Sequence, residues 1–154
     1  AGLGPRLPVK PRRGQILSIG LPSAMFRHVL RWSGVYGVPR GGNELVVGAT
    51  DEDAGFDLSL TPSGIGRLLS AAQLISSAVA SQPIREMWSG LRPGTPDGLP
   101  VLGRGGLDGL VFAAGHYRNG ILLAPATAAA IASVIEETEP PAPLAAFSPS
   151  RFEV

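Results

Sequence analysis

The chain has 154 residues, 44% hydrophobic and 16% charged, a balance that excludes a disordered chain and fits one globular domain with a core of its own. Its formal net charge is +1 and its 13 basic residues are scattered, so no basic stripe points to nucleic acid or to an anionic membrane. It has no cysteine, and His28 and His116 are its two histidines; a disulfide framework, a thiolate or histidine-rich metal site and a cysteine nucleophile are thereby excluded.

The opening, AGLGPRLPVKPRRGQ, has neither an initiator methionine nor the apolar core of a signal, the pattern of a fragment or a processed product. Its prolines forbid a helix, and it is expected to become a strand over residues 14–19. Residues 20–33 have weak periodicity and read as a connection. GVYGVPRGGNELVVGAT then predicts a hairpin: a strand over 35–38, a turn on Gly41, Gly42 and Asn43, and a strand over 45–49. Tyr36 and Val38 fall on one face of the first strand, Val35 on the other.

A polar loop, TDEDAGFDLSL, leads into TPSGIGRLLSAAQLISSAV, where Thr61 is a suitable N-cap and Pro62 suits the first helical position. Ile65, Leu68, Leu69, Ala72, Ile75 and Val79 recur at spacings of three and four, the apolar face of an amphipathic helix. In IREMWSGLRPGTPDGLPVLG the alternation starting at Ile84 predicts a strand that runs into Arg92 and stops at the Pro-Gly turn.

LDGLVFAAG reads as a short buried strand, followed by a glycine-flanked polar loop and an alanine-rich helix from about residue 121 to 136. The apolar stretch 120–135 is too short to span a bilayer and carries Pro125, Thr127 and Ser133, so a buried helix is expected. The tail, EPPAPLAAFSPSRFEV, holds too many prolines for regular structure, with Phe147 and Phe152 available to dock it. Strands and two clear helices, ending in a strand-loop-helix unit, give an α+β class.

In AAGHYRNGILLAP the side chains of His116, Tyr117, Arg118 and Asn119 stand between Gly115 and Gly120, just before a helix. The first turn of a helix has N–H groups without partners and a partial positive charge, and glycines let a ligand approach the backbone. The pattern suits an anion site; it equally suits a plain strand-to-helix turn in which His116 or Asn119 caps the helix. Arg92, at a strand end, suits bidentate capture of a carboxylate, or a structural pairing with Asp97. Tyr36 offers a hydroxyl to the same ligand, or is core with its oxygen at the rim. Asp51, Glu52, Asp53 and Asp57 lack EF-hand spacing and read as a solvated loop. Neither a hydrolase triad nor a Walker or GxGxxG run is present.

Three stretches, VYGVPRGGNELVVGAT, WSGLRPGTPDGLPVLG and GLVFAAGHYRNGILLAPATA, together resemble the carboxy-terminal part of the FAD-dependent amino-acid oxidases of the D-amino-acid oxidase superfamily, and within it the glycine oxidases of thiamine biosynthesis. PVKPRRGQIL and PLAAFSPSRF extend the resemblance over nearly the whole chain. It implies a substrate-binding portion over 1–106 built on a mixed or antiparallel sheet, a strand-loop-helix of the FAD-binding domain over 107–137, and a tail over 138–154. It also implies a missing amino-terminal half that carries the dinucleotide motif.

By the same resemblance Arg92 matches the arginine that forks onto the substrate carboxylate, Arg118 a second arginine near substrate and flavin, and Tyr36 a tyrosine lining the substrate pocket. His116, Tyr117, Arg118, Asn119, Gly120, Ile121 and Leu122 match the loop and helix start lying against FAD. Asp51 and Gly34 depart from the pattern, standing where relatives can have a neutral pocket residue and a histidine. The implied reaction is hydride transfer from glycine or a related small amino acid (sarcosine or a D-amino acid) to FAD, giving the imine, with dioxygen reduced to hydrogen peroxide; the alternatives are a sarcosine-oxidase-like or D-amino-acid dehydrogenase fragment, or a catalytically inert ligand-binding fragment. A cytoplasmic enzyme, a possible homo-oligomer and an isolated fragment without activity complete the expectation; no metal, nucleic-acid or membrane partner is expected.

Overall fold

The computed structural model describes residues 7–41 and 43–152, so Gly42 of the expected turn lies outside the described residues. Two compact units divide the chain. One is Arg12–Leu91; the other joins Ala1–Pro11 to Arg92–Val154.

The first unit is built on a five-stranded sheet in the order β2 (Leu30–Trp32), β3 (Val35–Arg40), β4 (Glu44–Gly48), β1 (Lys10–Gly20), β5 (Ile84–Gly94). Strand β1 (Lys10–Gly20) pairs antiparallel with β4 (Glu44–Gly48), Leu17 opposite Val47 and Ile19 opposite Leu45. Strand β3 (Val35–Arg40) pairs with β4 as the expected hairpin, and pairing of Arg40 with Glu44 leaves a three-residue connection. Asn43 takes φ +62°, a left-handed conformation that asparagine tolerates better than most residues.

Period-two alternation sends Leu17, Ile19, Val35, Leu45 and Val47 into one core, where they meet Leu68, Ala71 and Ala72 of α1 (Pro62–Ile75). Helix α1 starts as its sequence predicts: the Thr61 hydroxyl accepts from the Gly64 N–H at 3.1 Å, with Pro62 in the first turn. Ser76 breaks the helix, and a short α2 (Ser77–Ala80) carries Val79 into the same core.

A buried polar network ties this helix start to β1. Gln15 is fully buried; its Nε2 donates to Glu52 Oε1 at 2.9 Å and to Thr61 Oγ1 at 2.9 Å, and its Oε1 accepts from the Thr61 N–H at 2.9 Å. Gly64 is required by that approach, since a Cβ there would stand 2.2 Å from Gln15 Nε2. Arg13 donates to Glu52 Oε2 at 2.6 Å and to Asp57 Oδ2 at 2.7 Å. Asp51 in turn accepts from Arg12 at 3.1 Å. Part of the acidic loop expected to be solvated is therefore pinned to β1 by ion pairs.

Two further corrections concern strands. Residues 20–33 are not only a connection: β2 (Leu30–Trp32) pairs with β3, and the Trp32 indole N–H donates to the Ala71 carbonyl at 3.0 Å. Strand β5 (Ile84–Gly94) passes through Pro93 and Gly94 instead of stopping at them. The turn falls at Thr95-Pro96-Asp97-Gly98, where the Gly98 N–H reaches the Thr95 carbonyl at 3.2 Å and Gly98 takes φ +73°.

The second unit holds β6 (Val101–Arg104), which periodicity did not reveal, paired antiparallel with β7 (Val111–Ala114). Strand β7 is half-buried to exposed, not the buried strand its apolar run suggests, because a two-stranded sheet cannot enclose it. Helix α3 (Gly120–Glu136) follows, and it too departs from expectation: Ala130 is its one buried residue, while Ile121 is 97% and Leu122 78% exposed. Its apolar residues circle the helix, and β6 and β7 cover only one side of it.

The tail forms two 3₁₀ turns, Ala145–Phe147 and Pro149–Phe152, where no regular structure was expected. An α+β architecture with antiparallel strand pairs is present as the sequence predicts. Among the described residues no helix is long and apolar enough to cross a membrane, and no group of three His, Cys, Asp or Glu side chains is arranged to hold a metal.

Candidate functional site

The polar loop between β7 and α3 is shaped by its glycines and its neighbours. Gly115 takes φ +75°, and a Cβ on it would lie 2.6 Å from Thr95 Cγ2; only glycine lets the loop rest on the turn that follows β5. Tyr117 is also left-handed, at φ +53°, and its N–H donates to the Pro93 carbonyl at 3.0 Å. The half-buried Arg92 precedes that acceptor and the exposed Arg118 follows that donor. Two arginines that are 26 positions apart are thus brought to adjoining stretches of backbone within one unit.

Each remaining candidate has a definite place. The Arg118 guanidinium stands over the Tyr117 ring, 5.2 Å from its centroid. His116 does not cap α3; its Nε2 hydrogen-bonds with Thr127 Oγ1 at 2.9 Å and braces the loop against the second turn of the helix. Asn119 occupies the N-cap position, but its side chain makes no capping bond. Tyr36 belongs to the other unit, on β3 opposite Gly48; a Cβ at Gly48 would come within 3.0 Å of its hydroxyl oxygen, so the glycine makes room for the ring.

The two ends of α3 differ electrostatically. At its C-terminus Arg104 donates to the Val134 carbonyl at 2.8 Å and pairs with Glu137 at 3.0 Å, a cation where the helix dipole is negative. At its N-terminus the first intrahelical bond is from the Leu123 N–H to the Asn119 carbonyl at 2.8 Å, and helix geometry leaves the N–H groups of Gly120, Ile121 and Leu122 directed outward. Positive backbone potential beside exposed Ile121 and Leu122 suits a flat, partly apolar ligand with hydrogen-bond acceptors on one edge, and Gly120 leaves the approach open. An isoalloxazine ring has that chemistry, and the residues present fit one side of it.

The sequence pattern did not single out Thr95, Thr127 or Arg151. Arg151 pairs with Asp97 at 2.7 Å, so the partner considered for Arg92 is taken by an arginine from the tail. That interaction, led by the Arg151 hydrogen bond and opposed by partial burial, lowers the Asp97 pKa to about 2. A lone charge, the arginine, in the otherwise uncharged PLAAFSPSRF was the available signal.

Residues 1–134 match the sequence model of the DAO family, described as FAD dependent oxidoreductase. The chain is 45% identical over 151 residues to the bifunctional protein ThiO/ThiG of Trichormus variabilis, covering 96% of this chain and 23% of that protein. It is 38% identical to the glycine oxidase of Pseudomonas aeruginosa, covering 93% of this chain and 40% of the relative. The crystal structure of glycine oxidase from Geobacillus kaustophilus superposes with a TM-score of 0.86 at 38% identity, over 92% of this chain and 39% of that one. The chain therefore spans between about a quarter and two fifths of the length of these relatives.

Proposed function

This chain belongs to the DAO family of FAD-dependent oxidoreductases, and on that premise we propose that it is the substrate-side portion of an oxidase that converts glycine, or a similarly small amino acid, to its imine. The observation that carries the reading is the Tyr117–Pro93 hydrogen bond, which joins the stretches bearing Arg92 and Arg118. In this proposal residues 1–106 serve the substrate, 107–137 contribute a strand-loop-helix to the FAD domain, and 138–154 are a tail.

Arg92 takes the substrate carboxylate in a two-pronged hydrogen bond, which fixes the α-carbon by its position relative to the carboxylate. Arg118 adds positive charge on the same side. When bound, FAD supplies a two-electron acceptor that dioxygen restores, with release of hydrogen peroxide. The first-turn N–H groups of Gly120–Leu122 would hold the hydrogen-bond acceptors of the flavin ring and favour negative charge on it. A substrate amine that arrives neutral needs no protein base.

The test is a full-length protein carrying these residues, purified with its flavin. Anaerobic addition of glycine, sarcosine and D-alanine in turn should bleach the flavin colour with at least one of them, and readmitted air should restore it and yield peroxide. Flavin that stays oxidised with all three would sink the reading.

A further inference from the structure

The Arg151 guanidinium bonds to both the tail and the turn after β5. Its Nε and Nη2 fork onto Asp97 at 2.7 and 3.3 Å, Nη2 also reaches the Leu99 carbonyl at 2.9 Å, and Nη1 reaches the carbonyls of Phe147 and Ser148 at 2.8 and 3.1 Å. One planar group thereby closes the last 3₁₀ turns on themselves and fastens them to the turn after β5. The guanidinium also stands 4.2 Å from the centroid of the Phe152 ring.

The turn it holds is itself tightly knit. Asp97 Oδ1 accepts from the Leu99 N–H at 3.1 Å, and the Thr95 hydroxyl donates to the Leu99 carbonyl at 2.8 Å. Leu99's carbonyl thus takes both Thr95 and Arg151, and the Thr95 methyl faces Gly115 with no room for a Cβ between them. A continuous mechanical path runs from the tail through Asp97 and Thr95 to the loop that carries Arg118, and Arg92 stands three residues before Thr95.

We propose that the C-terminal segment is a strap and Arg151 a positioning residue, which seats the Thr95–Leu99 turn under Gly115 and so sets the spacing between Arg92 and Arg118. The inference rests on the reading of those two arginines as the carboxylate side of the site. Arg151 touches neither substrate nor cofactor; it acts through the turn. Rigid seating matters because a carboxylate held by two separate stretches of backbone is sensitive to displacements well below the length of a hydrogen bond.

The test uses the full-length, FAD-loaded protein and three variants: Arg151→Met, Thr95→Ser and Arg92→Ala. Arg151→Met is expected to raise KM for glycine and Kd for acetate, read from perturbation of the flavin spectrum, by roughly tenfold each, with kcat within about twofold. Amide hydrogen exchange is expected to quicken over 95–99 and also over 115–120, beyond any residue Arg151 touches. Thr95→Ser, which keeps the hydroxyl and deletes the methyl against Gly115, is expected to move both constants the same way by less, and covers the case in which Arg151→Met does not fold. Acetate affinity and 115–120 exchange at parental values in folded Arg151→Met or Thr95→Ser, while Arg92→Ala abolishes acetate binding, would overturn the strap alone. An Arg92→Ala protein that binds acetate like its parent would overturn the carboxylate reading and the strap with it.

Discussion

The Tyr117 N–H donates to the Pro93 carbonyl at 3.0 Å, stitching the loop after β7 to the end of β5 one residue from Arg92 and one residue from Arg118. Through this contact a strand end and a helix start become one surface.

Arg92→Ala in a full-length protein is expected to weaken substrate binding by about 3 kcal/mol or more, the cost of leaving a desolvated carboxylate without its partner. FAD affinity should change little. Arg92→Lys should recover only part, since an ammonium cannot fork across both carboxylate oxygens. Steady-state constants for glycine, measured beside a flavin dissociation constant, check this; equal losses in both would point to a folding defect instead.

Gly115→Ala meets two separate penalties: a left-handed φ of +75°, about 1 kcal/mol or more for an L side chain, and a 2.6 Å approach to Thr95 Cγ2. Adding Thr95→Ser removes the second and leaves the first. The double variant should therefore regain part, not all, of the lost thermal midpoint and flavin affinity.

Two glycines of α1 should respond in opposite directions. Gly66 has open space where a Cβ would go, so Gly66→Ala should stabilise by about 0.5–1 kcal/mol through helix propensity. Gly64→Ala gains the same propensity but drives a methyl to 2.2 Å from the buried Gln15 amide, and should destabilise by about 1–3 kcal/mol. Urea unfolding of the two variants against the parent gives the signs directly.

Acid should unfasten the loop from β1. Burial raises the Glu52 pKa, but hydrogen bonds from Thr50, Arg13 and Gln15 outweigh it and leave the group below its ordinary 4.5. Asp57 is lowered from 3.8, chiefly by Ser59. Both carboxyls bind protons more readily when unfolded, so their contribution is present above the ordinary carboxylate range and is lost as pH falls through their folded values. Asp97, at about 2, is the last to go. Arg13, raised chiefly by its hydrogen bond to Glu52, contributes wherever it is charged and loses its effect only as pH rises through its folded value. The thermal midpoint should fall on acidification below about pH 4.5, and Glu52→Gln should flatten that slope.

These 154 residues expressed by themselves should purify colourless and release no peroxide from glycine, because their sequence holds no GxGxxG run to seat a dinucleotide. A yellow preparation with flavin absorbance would contradict this.

Local chemistry made much of the fold legible. Thr61-Pro62 starts a helix wherever it stands before a three-four apolar repeat, and GVPRGGNELVV turns back on itself through residues that accept a positive φ. The strand β2 was hidden because its stability is not local: Trp32 is held by a carbonyl on α1, 39 residues away. The strand β6 is four residues long, too short for a period to register.

What the sequence determined by itself was the inventory: a glycine-flanked His-Tyr-Arg-Asn loop at a helix start, an arginine near a strand end, the β3-β4 hairpin and the start of α1. Tertiary structure decided the pairings. Asp97 lies five residues from Arg92 yet pairs with Arg151, 54 residues away; His116 braces Thr127 instead of capping its helix; and α3 shows Ile121 and Leu122 to solvent. Propensity and period act over a few residues, whereas the partner of a charge or an apolar face is chosen by whatever the folded chain brings alongside it, and that choice leaves no mark in the neighbouring letters.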